Sequence, residues 1–157
     1  MARLDRMIQP YIHDPYFVRE KYQDPSVCTK CNLVFHDGIF EWLDTTPPSA
    51  QKMVCPACRR IEDSYEGGNV VLEGAFLKDH RSDVLNIIRN VEQLQKRKRP
   101  LERIMSILPT DERIEIKTTY EHLARRIGEA VNKAYKGELK LQYREAEKFI
   151  RVYWRRD

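Results

Sequence analysis

No stretch of the chain approaches the roughly 18 consecutive apolar residues of a membrane-spanning helix, so nothing in its hydropathy directs it into a bilayer. The first residues carry Arg3, Asp5 and Arg6 without the apolar core of a secretory leader, and a cytoplasmic location is expected. Motifs of catalysis are scarce too. Gly67-Gly68 has no Lys-Ser or Lys-Thr pair after it to reach a nucleotide's phosphates, and there is no Gly-x-Ser-x-Gly elbow. His122 lies in the first turn of an expected helix and reads as a surface residue rather than a base. The chain is therefore expected not to be an enzyme.

Cysteine is confined to four positions, in two pairs: Cys28-Thr29-Lys30-Cys31 and Cys55-Pro56-Ala57-Cys58, with 23 residues between them. A two-residue spacer lets the backbone curl until both sulfurs of a pair face one point, and two pairs supply the four thiolates of one closed tetrahedral site. One structural Zn2+ is expected on Cys28, Cys31, Cys55 and Cys58. An iron centre would use the same ligands, so spacing leaves zinc and iron both open. Two disulfides would need an oxidising compartment, and a redox pair would need one motif in a βαβ frame. His36 is the only histidine near a pair and reads as a loop residue.

Between the pairs, Leu33-Val34-Phe35 and Ile39-Phe40-Glu41-Trp42 flank His36-Asp37-Gly38, and Asp-Gly is a hairpin turn signal. A hairpin with cysteine pairs at its base is the organisation of a zinc ribbon. Metal removal is expected to unfold residues 28–60 and leave the later half folded. The preceding tail carries Pro10, Pro15 and Pro25, which break any long helix, leaving at most a short helical piece over 15–23. Its aromatics Tyr11, Tyr16, Phe17 and Tyr22 point to docking, on its own fold or on a protein partner.

Gly67-Gly68 reads as a flexible joint, so the domains are expected at 1–27 (tail), 28–66 (ribbon) and 67–157. Charge divides at the same place. Residues 1–66 hold 8 Lys and Arg against 10 Asp and Glu, a balance of −2, while 67–157 hold 20 against 14, a balance of +6. The basic half is the one to meet phosphates.

That half begins with a strand at 69–73. Leu77, Val84, Ile87, Ile88, Val91 and Leu94 then recur at helical spacing from Phe76 to about Lys98. Lys96-Arg97-Lys98-Arg99 closes this helix, where cations complement the dipole or hold a phosphate. Pro100 is expected to open a short helix over 101–108. Arg113-Ile114-Glu115-Ile116-Lys117 alternates as a half-buried strand. Thr118 and Glu121 form a capping box for a helix over 119–136, with Gly137 as its C′ residue. Two strands, 138–144 and 148–156, end the chain. The expected fold class is α+β, a zinc ribbon followed by a two-layer βαβαββ sandwich with helices on one face.

Alternation on the last two strands carries the functional expectation. If Leu139, Leu141 and Tyr143 face the helices together with Ile150, Val152 and Trp154, the other face shows Lys140, Gln142 and Arg144 beside Phe149, Arg151, Tyr153 and Arg155. Aromatic rings stack unpaired bases while guanidinium groups hold phosphates, so this face is a candidate RNA-binding surface. A solvated sheet face, or one covered by the tail or ribbon, would show the same alternation.

Two resemblances point the same way. The helix and strand order of 67–157 resembles the C-terminal half of the bacterial initiation factor that keeps ribosomal subunits apart. The words Cys28-x-x-Cys31, Phe35-His36-Asp37-Gly38, Cys55-Pro56-x-Cys58-Arg59-Arg60-Ile61, Pro100-Leu101-Glu102-Arg103-Ile104 and His122-Leu123-Ala124-Arg125-Arg126-Ile127-Gly128 are similar to those of a poorly characterised bacterial family of small ribbon proteins. The ribbon region also resembles part of the archaeal and eukaryotic large-subunit export adaptor named for nonsense-mediated decay. That adaptor carries more cysteine pairs, so one metal site is implied here. RNA binding on the ribosome, in assembly, hibernation or quality control, is the resulting expectation, and a zinc-stabilised protein adaptor without RNA contact is the alternative.

Overall fold

The computed structural model describes residues 22–157. The expectations for the tail before Tyr22 lie outside the described residues. Tyr22 itself packs its ring 5.6 Å from Phe35 and 5.5 Å from Phe40.

Among the described residues two sheets and three α-helices make up a mixed α+β structure. The first sheet joins β1 (Ser26–Cys28), β2 (Val34–His36), β3 (Ile39–Glu41) and β4 (Gln51–Met53) in the order β3-β2-β1-β4. The expected hairpin is β2–β3, and its turn puts both Asp37 and Gly38 at positive φ, 54° and 82°. Helix α1 (Pro56–Asp63) follows β4, with Pro56 in its first turn and Cys55 as N-cap. The second cysteine pair therefore sits on a helix N-terminus, which the pair spacing alone does not show.

The second sheet has the order β6-β7-β5-β9-β8, formed by β5 (Gly68–Glu73), β6 (Ile104–Pro109), β7 (Arg113–Thr118), β8 (Glu138–Arg144) and β9 (Phe149–Arg155). Strands β5 and β9 are parallel and the other neighbours antiparallel. Helices α2 (Phe76–Lys98) and α3 (Glu121–Ala134) supply Leu77, Val84, Ile88, Leu123, Ile127 and Val131 to a core shared with Val70, Leu72, Ile114, Ile116, Ile150, Val152 and Trp154. These sheet residues alternate along their strands, so one face meets the helices.

Several local expectations are corrected. Residues 101–108 do not form a helix; most of that stretch is β6, which covers the edge of β7 with a register shift between Ile104 and Ser106. Ile104 and Ile107 pack on the core, and ladder bonds to β7 outweigh the helix-opening signal of Pro100. Thr118 is not an N-cap. It ends β7 and its hydroxyl donates to the Tyr120 carbonyl, while Glu102 reaches across to cap α3. Helix α3 ends at Ala134, and Gly137 is not in the left-handed region; a Cβ there would stand 2.5 Å from the Arg155 carbonyl oxygen. Gly67 and Gly68 are likewise places of close packing, against Thr119 and Ala124. On α2, Leu94 is exposed and Gln95 is buried in its place, bonded to His122.

Candidate metal centre and candidate nucleic-acid face

The turn after β1 and the N-terminus of α1 bring the cysteine pairs together. All four sulfurs lie within 4.8 Å of one another, with Cys28–Cys58 and Cys31–Cys55 both at 3.8 Å. A tetrahedron with metal–sulfur bonds of about 2.3 Å has edges of about 3.8 Å. A disulfide needs sulfurs near 2.05 Å, and all four cysteines are free. The cluster can hold one metal ion. Cys28, Cys55 and Cys58 are buried and Cys31 partly so.

Backbone N–H groups are already aimed at the sulfurs. Lys30 and Cys55 donate to Cys28 Sγ at 3.4 and 3.3 Å, and Cys58 donates to Cys55 Sγ at 3.4 Å. Hydrogen bonding to Cys31 and Cys55 holds the Cys28 thiol far below its usual range. Bonding to Cys28 and Cys31 pushes Cys55 far above it, and burial pushes Cys58 up to about 11. A metal takes the place of the protons in such a set, so its affinity depends on pH. His36 does not join the sulfurs. It forms an exposed group with Asp24 and Asp37, and its bond to Asp24 at 2.7 Å raises its pKa.

A fifth residue at the centre, Arg103, comes from the segment just before β6. Its guanidinium donates to Cys31 Sγ at 3.2 Å, Cys58 Sγ at 3.4 Å and Cys55 Sγ at 3.8 Å, and Nε donates to the Pro100 carbonyl at 3.0 Å. Trp42 lies beside it, 5.3 Å from ring centre to guanidinium carbon. The Trp42 indole donates to the Lys96 carbonyl at the end of α2 at 3.0 Å. Arg60 of α1 crosses the same junction, donating to the Thr119 carbonyl at 2.8 Å with its guanidinium 4.0 Å from the Tyr120 ring centre. Arg103, Trp42 and Arg60 carry no spacing motif. Arg103 stands next to Glu102 and shortly after the run Lys96-Arg97-Lys98-Arg99, so local pattern does not separate it from a solvated charge.

The candidate RNA residues divide between two surfaces. Register pairs Lys140 with Tyr153, Gln142 with Arg151, Arg144 with Phe149 and Glu138 with Arg155, all on the face turned from the helices. Tyr153 is 39% exposed, and the Arg144 and Arg151 guanidinium carbons lie 5.9 and 5.5 Å from the Phe149 ring centre. Arg155 pairs with Glu73 and Asp157, and Arg144 with Glu147; Lys140 and Arg151 make no ion pair among the described residues. Asn69 lies beside Arg151 on the same face. Its amide nitrogen donates to Glu115, while its buried Oδ1 has no hydrogen-bond partner among the described residues.

Leu141 and Tyr143 take the helix side of β8 as expected, yet they are 45% and 48% exposed, lining a cavity beside Glu121, His122 and Arg125 of α3 while Leu139 packs on the core. Lys96, Arg97, Lys98 and Arg99 sit at the C-terminus of α2, in the helical layer by the Trp42 junction, and not on the open sheet face. None of the four forms an ion pair among the described residues. Arg99 lines a cavity of about 520 Å³ with Glu102, Glu121, His122, Arg125 and Tyr143. Burial, with Arg99, Arg125 and Arg126 nearby, depresses the His122 pKa.

Comparison of the chain with family models, curated proteins and solved structures returns no match. Among the described residues no helix is long and apolar enough to cross a membrane.

Proposed function

We propose that the protein is a non-enzymatic, zinc-stabilised RNA-binding protein of the ribosome, acting in assembly, hibernation or quality control. In this reading the first sheet with its cysteines is a zinc ribbon, and the second is the RNA platform of a two-layer sandwich. The observation that carries it is the row Lys140–Tyr153, Gln142–Arg151 and Arg144–Phe149 on the face away from the helices. Rings there can stack unpaired bases, and Lys140 and Arg151, which make no ion pair among the described residues, can hold phosphates. The unpartnered Asn69 Oδ1 beside Arg151 suits a polar donor from a base or ribose. Closed four-sulfur coordination suits a structural ion better than a catalytic one.

The exposed Leu141 and Tyr143 on the reverse side of β8 favour a second reading, a protein adaptor. Salt separates the two. Binding to purified ribosomal RNA, measured from about 50 to 200 mM salt, is expected to weaken steeply for phosphate contacts. Absence of RNA binding at low salt would overturn the RNA reading.

A further inference from the structure

Arg103 is 5% exposed, and among the described residues no carboxylate pairs with it. A buried guanidinium needs a counter-charge, because desolvation penalises an unpaired ion heavily. The anionic groups within its reach are the sulfurs of Cys31, Cys55 and Cys58. Four thiolates around a divalent ion leave a net charge of −2, and Arg103 offsets part of it. Backbone N–H groups serve Cys28, the sulfur Arg103 does not touch.

The same residue is tied into the second sheet. Its N–H donates to Thr119 Oγ1 at 2.8 Å, and its carbonyl accepts from the Thr119 N–H at 2.9 Å. Thr119 Oγ1 donates to the Leu101 carbonyl at 2.7 Å. Next in the chain, Ile104 N donates to Glu92 of α2 at 2.7 Å. Residues 101–104 and 119 therefore form a buried joint whose one cation points into the sulfur cluster of the other sheet.

We infer that Arg103 is a working part of the metal centre, its buried counter-ion, and that through it metal occupancy governs whether the cysteine-bearing sheet stays seated on the five-stranded sheet. With metal bound, the guanidinium has its anion and the joint stays closed. When the ion leaves, nothing holds the sulfurs together around the guanidinium, and the charge is left in a buried place without its fixed partners. Opening of the joint to water then relieves it. The inference rests on the metal reading of the cluster and is independent of the RNA reading.

The test uses the whole chain, loaded with zinc under reducing conditions, with amide hydrogen exchange read by mass spectrometry before and after a strong zinc chelator. In the wild type, chelation is expected to deprotect peptides covering 101–104 and 119–123 along with the cysteine-bearing sheet, while β9 stays protected. Arg103→Met removes the charge and keeps apolar bulk. This variant is expected to bind zinc roughly 10- to 100-fold more weakly and to keep the joint protected after chelation, a reversal that mere loss of packing does not produce. If Arg103→Met does not fold, Arg103→Lys, which keeps the charge, is expected to open the joint on chelation as the wild type does. A lysine variant whose joint stays protected after chelation overturns the inference. So does a wild-type joint that stays protected after chelation, or a methionine variant whose joint opens like the wild type's. A wild-type protein that takes up no metal overturns the metal reading itself, and with it this inference.

Discussion

The Glu102 carboxylate accepts a hydrogen bond from the Leu123 N–H at 2.9 Å, so the first turn of α3 is capped by a side chain from before β6, twenty-one residues earlier. Burial pushes the Glu102 pKa up to about 7, the Leu123 N–H pulls against it, Glu121 adds to it, and Arg99 and Arg60 oppose it. The folded state thus holds the Glu102 proton more tightly than the unfolded chain does. The resulting stabilisation is complete below about pH 4.5 and is lost as pH rises through about 7.

Its size is up to about 3 kcal/mol. Urea unfolding of wild type and Glu102→Gln across pH 4.5 to 8 should show this in the difference between the two, since glutamine keeps the acceptor for Leu123 and cannot ionise. A pH-independent difference would mean that Glu102 binds its proton equally in the folded and unfolded states.

Replacing Cys55 by Ser is expected to eject the metal, because the site keeps only three sulfurs around an ion that needs four. Elemental analysis reads this directly. Stoichiometric metal in the variant would sink the four-ligand assignment.

Replacing Phe149 and Tyr153 by Ala together with Arg151 and Arg155 by Gln is expected to release the protein from ribosomal fractions. Circular dichroism should report an intact fold, since all four side chains lie on the face away from the core. Normal co-sedimentation of the quadruple variant would remove the sheet face as the contact surface.

Asn132 Oδ1 accepts from Trp154 Nε1 at 3.2 Å and from the Gly137 N–H at 3.0 Å, and Trp154 is 1% exposed. Asn132→Ala leaves the indole N–H buried and unpaired, at a cost of roughly 1 to 3 kcal/mol. Chemical denaturation in the wild-type and Trp154→Phe backgrounds checks the cause. The cost should shrink in the phenylalanine background, where no indole donor remains.

Much of this molecule is written in local pattern. The pair spacing placed four sulfurs in one cluster, Asp37-Gly38 set the β2–β3 turn, helical periodicity bounded α2 at Phe76–Lys98, and alternation assigned Lys140, Gln142 and Arg144 to one face with Phe149, Arg151, Tyr153 and Arg155. Each of these follows from backbone geometry over a few residues, where spacing alone carries the information. Tertiary structure decided what depends on partners far along the chain. Residues 104–109 became a strand because β7 offered an open edge, α3 took its cap from Glu102 instead of Thr118, and Arg103 found its anion in sulfurs 45 to 72 positions away. Pairing energy and the need of a buried charge for a counter-charge are settled only when those distant groups meet.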